Sequence, residues 1–476
     1  MNNKGDKTKV NEDGTLESHF YIDAKEMQQK LNAVSPSLCL AKWKQVTLNL
    51  TTGHTNSCYH PAPHKIPVDL LQDNPAALHN TPFKIARRQE MLTGVKPAEC
   101  SYCWNIEKDG NLSDRAYRSG EPWAASSFDE CLEDTDAPIP SYVEVNFNTA
   151  CNLACSYCSP QYSTTWMKEA KDHGAYPTKV PHNALEHFQG ERMPIPFKQP
   201  NPYVDAFWKW WPTLYPELKH FRMTGGEPLM DRNTYKVFDY VLENPKPDLH
   251  LDVTSNFSVE DKYFEKYLDY TKQLCEGEKI EHFMQYVSVD TFGEQAEYIR
   301  GGLDFDRLMR NVHRFLKEVP YRNSVTFIIT MNILAVPRLE LLLEQILELR
   351  NEYSNTYQRV WFDTPLLRQP AWQSLEIAPP GLVARLQATH NWMEANVETS
   401  DTRFHGFKDY EVQRIQRDID WANNSNLSRQ EWLNRKADFY RFFKEYDERR
   451  GKNFLHTFPE LKAFWDQCKL EAEKDA

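Results

Sequence analysis

The chain has 476 residues, of which 40% are hydrophobic and 26% are charged, and its formal net charge is −12. This length is enough to bury a full enzyme core with appended segments, and it excludes a small peptide-like module. The acidic balance argues against a protein whose main task is to bind a phosphate backbone, because that task requires clustered Lys and Arg, so nucleic acid is not an expected partner.

The start of the chain is polar and gives no sign of membrane targeting. Residues 1–13 lack an apolar signal core, and no stretch of the sequence reaches the roughly 18 consecutive apolar residues that span a bilayer. The sequence therefore predicts a cytoplasmic protein without membrane contact. We expect a flexible segment over residues 1–30 and a Cys-rich domain over residues 31–135.

Seven cysteines form two groups in the first third of the chain. In a reducing compartment such grouping indicates metal binding rather than disulfides. The upstream group contains Cys39, Cys58, Cys100 and Cys103. Four thiolates are enough to hold an iron–sulfur cluster or a tetrahedral zinc ion, and both remain open here, as does a site without metal.

Between residues 140 and 370, short β-rich runs alternate with longer helical patterns, which is typical of repeated βα units around a parallel sheet. The predicted strands are Tyr142–Asn148, His220–Thr224, His250–Thr254, Tyr286–Asp290, Val325–Asn332 and Arg359–Thr364. The predicted helices are Asp231–Glu243, Glu260–Cys275, Phe305–Lys317 and Arg338–Arg350. Six strands of this kind predict an α/β fold with a partial (βα)6 TIM-like barrel.

Two segments depart from this alternation. Residues 172–202 contain six prolines and are predicted to be an insertion after the first helix of the barrel, and loops of this length are often lids. After Pro380 the β-rich runs stop, and aromatic and charged residues recur at helical spacing. An α-helical C-terminal extension is therefore predicted over residues 380–476, with helices at Leu382–Asn396, Tyr410–Asn423 and Arg429–Tyr446.

A Cys-x3-Cys-x2-Cys loop, formed by Cys151, Cys155 and Cys158, directly follows the first predicted strand. This is the carboxyl edge at which barrel enzymes carry their active sites. Three thiolates can each bind one iron of a [4Fe–4S] cubane and leave the fourth iron without a protein ligand. The open iron would accept the amino and carboxylate groups of S-adenosylmethionine (SAM) and place its sulfonium beside an electron source. A zinc site with a fourth ligand is the alternative.

A Gly-Gly-Glu-Pro tetrad, which begins at Gly225, follows the second predicted strand. Its glycines let the backbone approach a ligand closely, and Glu227 supplies a carboxylate that would accept hydrogen bonds from an ammonium group. Taken alone, the tetrad could be a simple turn. Its position one βα unit after the cysteines favours a ligand site.

Together the three-cysteine loop and the tetrad resemble the radical SAM superfamily, and within it the twitch-domain-containing proteins, over roughly residues 39–367. The resemblance implies a [4Fe–4S] cluster on the three-cysteine loop, SAM as cofactor, and an external electron donor of the flavodoxin or ferredoxin type. It also implies an auxiliary iron–sulfur cluster on the upstream cysteines in a twitch-like domain. Family members usually carry this domain after the barrel, whereas here it would precede it.

The resemblance also assigns contacts to SAM. The aromatic residue before the third cysteine would pack near the adenine, and the tetrad would hold the methionine amino group. The Ser-Asn pair that ends the third strand matches contacts to ribose or carboxylate. A Ser in the fourth strand and an Arg that follows it would approach SAM, with a strand-end cap and a surface salt bridge as structural alternatives. The residues concerned are Tyr157, Gly225, Gly226, Glu227, Ser255, Asn256, Ser288, Asp290 and Arg300.

The function implied is reductive cleavage of SAM to a 5′-deoxyadenosyl radical, which abstracts hydrogen from a substrate. Peptide or protein modification ranks first, a small metabolite second, and nucleotide or RNA modification third. Two alternatives from other classes stay open. One is a zinc-stabilised scaffold that does no chemistry, and the other is an electron-transfer iron–sulfur protein, which would have no use for the Gly225–Glu227 site.

Overall fold

A computed structural model describes residues 9–10, 16–17, 22–196, 198–319, 322–399, 402 and 404–475. Its strands are β1 Lys9–Val10, β2 Leu16–Glu17, β3 Gln45–Asn49, β4 His54–Asn56, β5 His64–Lys65, β6 Tyr142–Asn146, β7 Ala154–Cys155, β8 His220–Thr224, β9 Lys246–Ser255, β10 Ile280–Ser288, β11 Arg300–Gly301, β12 Asn323–Ile328 and β13 Val360–Asp363.

The helices fall into three groups along the chain. The first group is α1 Ala24–Val34, α2 Ala41–Lys44, α3 Pro82–Leu92, α4 Ser101–Lys108, α5 Asp114–Gly120, α6 Pro122–Ala125 and α7 Phe128–Glu133. The second is α8 Thr164–His173, α9 Pro202–Leu214, α10 Arg232–Glu243, α11 Asp261–Cys275, α12 Glu294–Ile299, α13 Phe305–Glu318 and α14 Leu339–Tyr353. The third is α15 Pro380–Ala395, α16 Asp409–Asn423, α17 Arg429–Arg450, α18 Phe454–Thr457 and α19 Lys462–Lys474.

A large sheet forms the centre of the molecule, with the strand order β13-β12-β10-β9-β8-β6-β3-β4-β5. Neighbouring strands from β13 to β3 are parallel, and β4 and β5 are antiparallel additions at one edge. This confirms the predicted α/β fold with a parallel sheet and C-terminal helices. Each of the six predicted barrel strands overlaps an observed strand of this sheet.

The sheet extends further into the N-terminal region than the six-strand prediction. β3 pairs in parallel with β6, from Gln45 beside Tyr142 to Asn49 beside Asn146, so the Cys-rich region supplies strands to the barrel sheet. β3 shares the alternation of the barrel strands, because Val46 and Leu48 are fully buried whereas Thr47 and Asn49 are partly exposed. In addition, α1 begins at Ala24, so the domain boundary predicted at residue 31 falls inside a helix. Residues 1–8, 11–15 and 18–21 of the predicted flexible segment lie outside the described residues.

The two faces of the sheet differ in chemistry. Side chains such as Val145, Phe221, Val253 and Phe327 are buried on one face, where α11, α13 and α14 contact the strands. The opposite face, here called the polar face, presents partly exposed polar residues on the same strands, since successive side chains of a strand alternate between faces. Its central members are Glu144, Arg222, Thr254, Tyr286 and Ser288.

The predicted insertion lies between two helices, and the predicted C-terminal extension is itself helical. Residues 174–201 link α8 to α9 through turns and short 3-10 helices. α17 begins with a capping box at Ser428 and ends at Gly451, which adopts φ +60°. None of the helices in the described parts of the chain is both long and apolar enough to cross a bilayer.

Candidate functional site

A cavity of about 290 Å³ lies at the carboxyl ends of β6, β8, β9 and β10. This volume is close to the lower end of the roughly 300–1,000 Å³ that sites for small molecules typically enclose. The lining residues are Cys151, Leu153, Cys155, Tyr157, Cys158, Tyr162, Gly225, Gly226, Thr254, Ser255, Asn256, Ser288 and Arg300. The structure therefore brings together the three-cysteine loop and most of the residues assigned to SAM, and we refer to this space as the first cavity.

The three-cysteine loop is held from both sides by neighbouring elements. β7 pairs with β11, which places Cys155 opposite Arg300. From α8, the Trp166 indole nitrogen donates a hydrogen bond to the Cys155 carbonyl at 2.9 Å, and the Thr165 hydroxyl donates to the Cys151 carbonyl at 2.7 Å. These contacts hold Cys151 and Cys155 in the wall of the first cavity, which Cys158 also lines.

The chemistry of the three thiols fits an iron–sulfur cluster. Burial raises the pKa of each thiol, that of Cys158 to about 12, so proton release accompanies metal binding. In the part of the chain that the structure describes, no three His, Cys, Asp or Glu side chains converge to hold a single metal ion. A cubane does not need such convergence, because each thiolate binds a different iron.

The tetrad glycines are required where the chain passes close to the three-cysteine loop. Gly225 has φ +119°, and a Cβ there would lie 2.2 Å from Oδ1 of Asn146. A Cβ on Gly226 would lie 2.2 Å from the Ala150 carbonyl oxygen. Asn146 was missed by the sequence reasoning, and its position as the last residue of the strand before the cysteines was the available signal.

Glu227 is not among the residues that line the first cavity. Its carboxylate, which is 1% exposed, accepts hydrogen bonds from the Ser255 hydroxyl at 2.7 Å, the Asn256 amide at 2.8 Å and the Leu229 amide at 3.1 Å. Burial raises its pKa to about 7. The observed contacts join the tetrad to the end of β9, and the contact of Glu227 with a ligand stays a prediction.

Asp290 also lies outside the lining and holds two residues that are part of it. Its buried carboxylate accepts hydrogen bonds from Arg300 at 2.8 and 3.0 Å and from the Tyr157 hydroxyl at 2.8 Å. A further hydrogen bond at 3.0 Å comes from the Thr330 amide. The Arg300 Nη1 atom lies 3.8 Å from the sulfur of Cys155. This arrangement connects the cavity wall to the three-cysteine loop through one buried carboxylate.

The four upstream cysteines line a second, small cavity of about 30 Å³. Cys39 precedes α2, Cys58 follows β4, and Cys100 and Cys103 lie at the start of α4. Burial raises the pKa of Cys58 and Cys103 to about 12 and that of Cys100 to about 11. Chain segments far apart in sequence therefore bring the four predicted ligands to one space.

Buried cations surround this second cavity. Lys42 and Arg115 both line it, and their positive charges oppose the effect of burial, which raises the pKa of the Cys39 thiol. Lys42 forms an ion pair with Glu99 at 2.9 Å. His60 also lines the cavity, where it contacts Asp114 at 2.6 Å and stacks on Tyr102. Cations of this kind stabilise the negative charge of a cluster or ion bound by thiolates.

The polar face of the sheet connects the two cavities. Thr254 lines the first cavity, and its hydroxyl accepts hydrogen bonds from Arg222 at 3.0 and 3.2 Å. Arg222 is 3.6 Å from the carboxylate of Glu144 and lies over the Tyr286 ring. At the other end, the hydroxyl of Tyr59, the residue after Cys58, is 2.9 Å from that of Tyr142 and 3.4 Å from Glu144.

Comparison with known proteins gives distant structural matches only. No protein-family model matches the sequence, and no curated protein matches it either. Among solved structures, Streptococcus suis SuiB bound to S-adenosylmethionine is similar over 64% of this chain and 62% of its own, with 11% identity and a TM-score of 0.34. The chain thus spans about three fifths of the length of SuiB.

A second solved protein gives matches of the same strength. Native anSMEcpe with bound AdoMet is similar over 68% of this chain and 98% of its own, with 14% identity and a TM-score of 0.31. With bound AdoMet and Cp18Cys peptide, the corresponding coverages are 54% and 60%, with 14% identity and a TM-score of 0.30. At these identities and scores the matches support no inference about the activity of this chain, so the function is argued from its own residues.

Proposed function

We propose that this chain is a radical SAM enzyme that binds a [4Fe–4S] cluster through Cys151, Cys155 and Cys158 and binds SAM in the first cavity. The observation that carries this proposal is the convergence of the three-cysteine loop, the Gly225 turn and Arg300 on one cavity at the carboxyl edge of a parallel sheet. When bound, the cluster supplies the electron that cleaves SAM to methionine and a 5′-deoxyadenosyl radical, which takes a hydrogen atom from the substrate.

The protein's own residues bind and orient SAM in this proposal. The Gly225 turn allows the backbone to approach the methionine group, and Glu227 positions Ser255 and Asn256 and would accept a hydrogen bond from the methionine ammonium. Tyr157 offers its ring to the adenine. Because the cavity is enclosed by the loop, the turn and β9, bound SAM would be held in one orientation and partly shielded from water.

The second cavity is proposed to hold an auxiliary iron–sulfur cluster on Cys39, Cys58, Cys100 and Cys103. The convergence of four thiols on one cavity, beside the buried cation Lys42, supports this assignment. The auxiliary cluster would accept the product electron or bind the substrate. An external donor of the flavodoxin or ferredoxin type would reduce the SAM-binding cluster.

The substrate is proposed to lie against the polar face, since this face joins the two cavities. The Arg222 side chain is 18% exposed there, and Nη1 of its guanidinium makes no hydrogen bond to another described residue. Arg222 and Glu144 would therefore hydrogen-bond a polar group of a peptide or small metabolite. A substrate placed in this way would lie within reach of a radical formed in the first cavity.

The test is an anaerobic reaction with dithionite and SAM in which 5′-deoxyadenosine is measured. We expect a brown protein that forms this product, loss of the product in Cys158→Ala, and retention in Cys275→Ala, which changes a buried cysteine outside both groups. A colourless zinc protein would contradict the proposal and favour the scaffold. A brown protein that does not bind SAM would favour an electron-transfer protein.

A further inference from the structure

The C-terminal extension packs against the short sheet that carries Cys155 and Arg300, and we infer that Tyr446 and Arg450 of α17 position these two residues. Neither Tyr446 nor Arg450 lines the first cavity, so both act through other residues. The inference rests on the proposed function only for what Cys155 and Arg300 bind, since the packing is a property of the chain itself.

Tyr446 holds the strand of Arg300. Its fully buried hydroxyl donates to the carbonyl of Tyr298 at 2.9 Å, two residues before Arg300. In return, the Tyr298 hydroxyl donates to the carboxylate of Asp447 at 2.7 Å. A Cβ on Gly301 would lie only 3.0 Å from the Tyr446 hydroxyl. Two hydrogen bonds therefore join α17 to the end of α12, directly before β11, and Gly301 of β11 leaves room for the Tyr446 hydroxyl.

Arg450 holds the other side of the same sheet through α8. It forms an ion pair with Glu169 in which the two side chains are 12% and 13% exposed. Glu169 lies one turn after Trp166, whose indole binds the Cys155 carbonyl. The guanidinium of Arg450 also lies 3.9 Å from the centre of the Tyr446 ring. The two side chains thus form one unit that contacts both the α8 side and the β11 side of the three-cysteine loop.

Because β7 pairs with β11, contacts that fix either strand also fix the positions of Cys155 and Arg300. The Ser156 amide donates to the Ile299 carbonyl at 2.7 Å, and Arg300 Nη1 lies 3.8 Å from the sulfur of Cys155. A hydrogen bond to a ligating sulfur stabilises the more negative, reduced state of a cluster and raises its reduction potential. α17 would therefore set the potential through Cys155 and the affinity for SAM through Arg300.

The first test uses the full chain without cofactors and measures hydrogen exchange. In Tyr446→Phe and Arg450→Met, we expect exchange over residues 154–158 and 298–302 to accelerate about fivefold, as for the loss of one buried hydrogen bond. Arg441→Met is the matched control, because Arg441 lies on the same helix and pairs with Asp438 and Asp475 instead. Its exchange over these segments should equal that of the unaltered chain.

The second test uses the reconstituted enzyme. Tyr446→Phe should retain its iron, while its cluster shifts to a more negative potential and its affinity for SAM falls several-fold. Unchanged exchange, potential and affinity in Tyr446→Phe would overturn the inference, and this variant decides the matter even if Arg450→Met fails to fold. Faster exchange in a chain that assembles no cluster would refute the proposed function while leaving the positioning role intact.

Discussion

The carboxylate of Asp290 holds the guanidinium of Arg300 by two hydrogen bonds, and the two side chains are 0% and 8% exposed. The same carboxylate binds the Tyr157 hydroxyl. One buried anion therefore orients both the cation and the aromatic ring that line the first cavity. A substitution of Asp290 would therefore alter the site although every cysteine and every residue of the cavity wall is kept.

Asp290→Asn should destabilise the protein by about 3–5 kcal/mol, because it leaves the charge of Arg300 buried without its partner. Binding of SAM should weaken as well, since Tyr157 and Arg300 lose their common anchor. Urea denaturation and calorimetry measure the two effects. Asp248→Asn is the control, because Asp248 pairs with Lys219 at the surface and its side chain is 49% exposed, so a change of about 0–1 kcal/mol is expected.

Glu227 should make the stability of the cofactor-free protein depend on pH. Burial raises its pKa from 4.5 to about 7, so between these values the folded chain keeps a proton that the unfolded chain has released. The stabilisation is complete below pH 4.5 and is lost as the pH rises towards 7, with a total change of up to about 3 kcal/mol. Of this total, about 2 kcal/mol is lost between pH 5 and pH 7, and in Glu227→Gln the difference between the unfolding free energies at these two pH values should shrink by that amount.

Glu227→Gln should also weaken SAM binding by about 1–3 kcal/mol with unchanged iron content, because an amide cannot accept all three of the hydrogen bonds made by the carboxylate. The Gly225 turn and the Ser255-Asn256 pair would then no longer be held at a fixed distance from each other. Glu265→Gln, at an exposed ion pair with Arg314, is the control. Equal SAM affinity in the two variants would show that the tetrad serves only as a turn.

The barrel elements could be predicted because their signals are local. The helix predicted from Asp231 is observed from Arg232, with Asp231 as its N-cap, and strands such as His220–Thr224 are marked by β-rich composition. The parallel pairing of β3 with β6 was not predicted, because β6 lies far along the chain. No pattern within residues 45–49 indicates such a distant partner.

The members of the site were predictable from spacing, whereas the directions of their side chains were not. Cysteines and glycines at strand ends reach the same edge of a parallel sheet whatever the remaining sequence. The carboxylates of Glu227 and Asp290 could accept hydrogen bonds from several groups. In the folded chain they accept them from buried donors such as the Asn256 amide and Arg300. Only the folded chain shows which donors are close enough to do so.

Simultaneous replacement of Cys151, Cys155 and Cys158 by Ala should remove the SAM-binding cluster and leave iron at the second cavity. The two cavities share no lining residue, so loss of one site does not remove the ligands of the other. Total iron should fall without reaching zero, and addition of SAM should leave the remaining spectrum unchanged, because a cluster with four thiolates has no open iron. Full 5′-deoxyadenosine formation by this variant would contradict the assignment.

Replacement of Cys100 and Cys103 by Ala should lower iron and loosen the N-terminal region, because the second cavity joins segments that are far apart in sequence. Cys39 and Cys100 pack against the small hydrophobic core around Met27, Trp43 and Trp123, so metal binding and packing of this core are coupled. Loss of metal would also leave the buried charge of Lys42 with less compensation. We expect easier unfolding of residues 22–135, measured by hydrogen exchange.

Metal analysis of the variant that lacks Cys151, Cys155 and Cys158 then distinguishes the three states of the second cavity. Residual iron, with no more than traces of zinc, is the expected result and supports an auxiliary cluster. Iron near zero with about one zinc per chain would mean a structural zinc site, because four thiolates saturate one tetrahedral ion. Absence of both metals would mean that the upstream cysteines bind none. Removing Cys100 and Cys103 in the same background should abolish whichever metal remains, whereas removing the buried Cys468 should not.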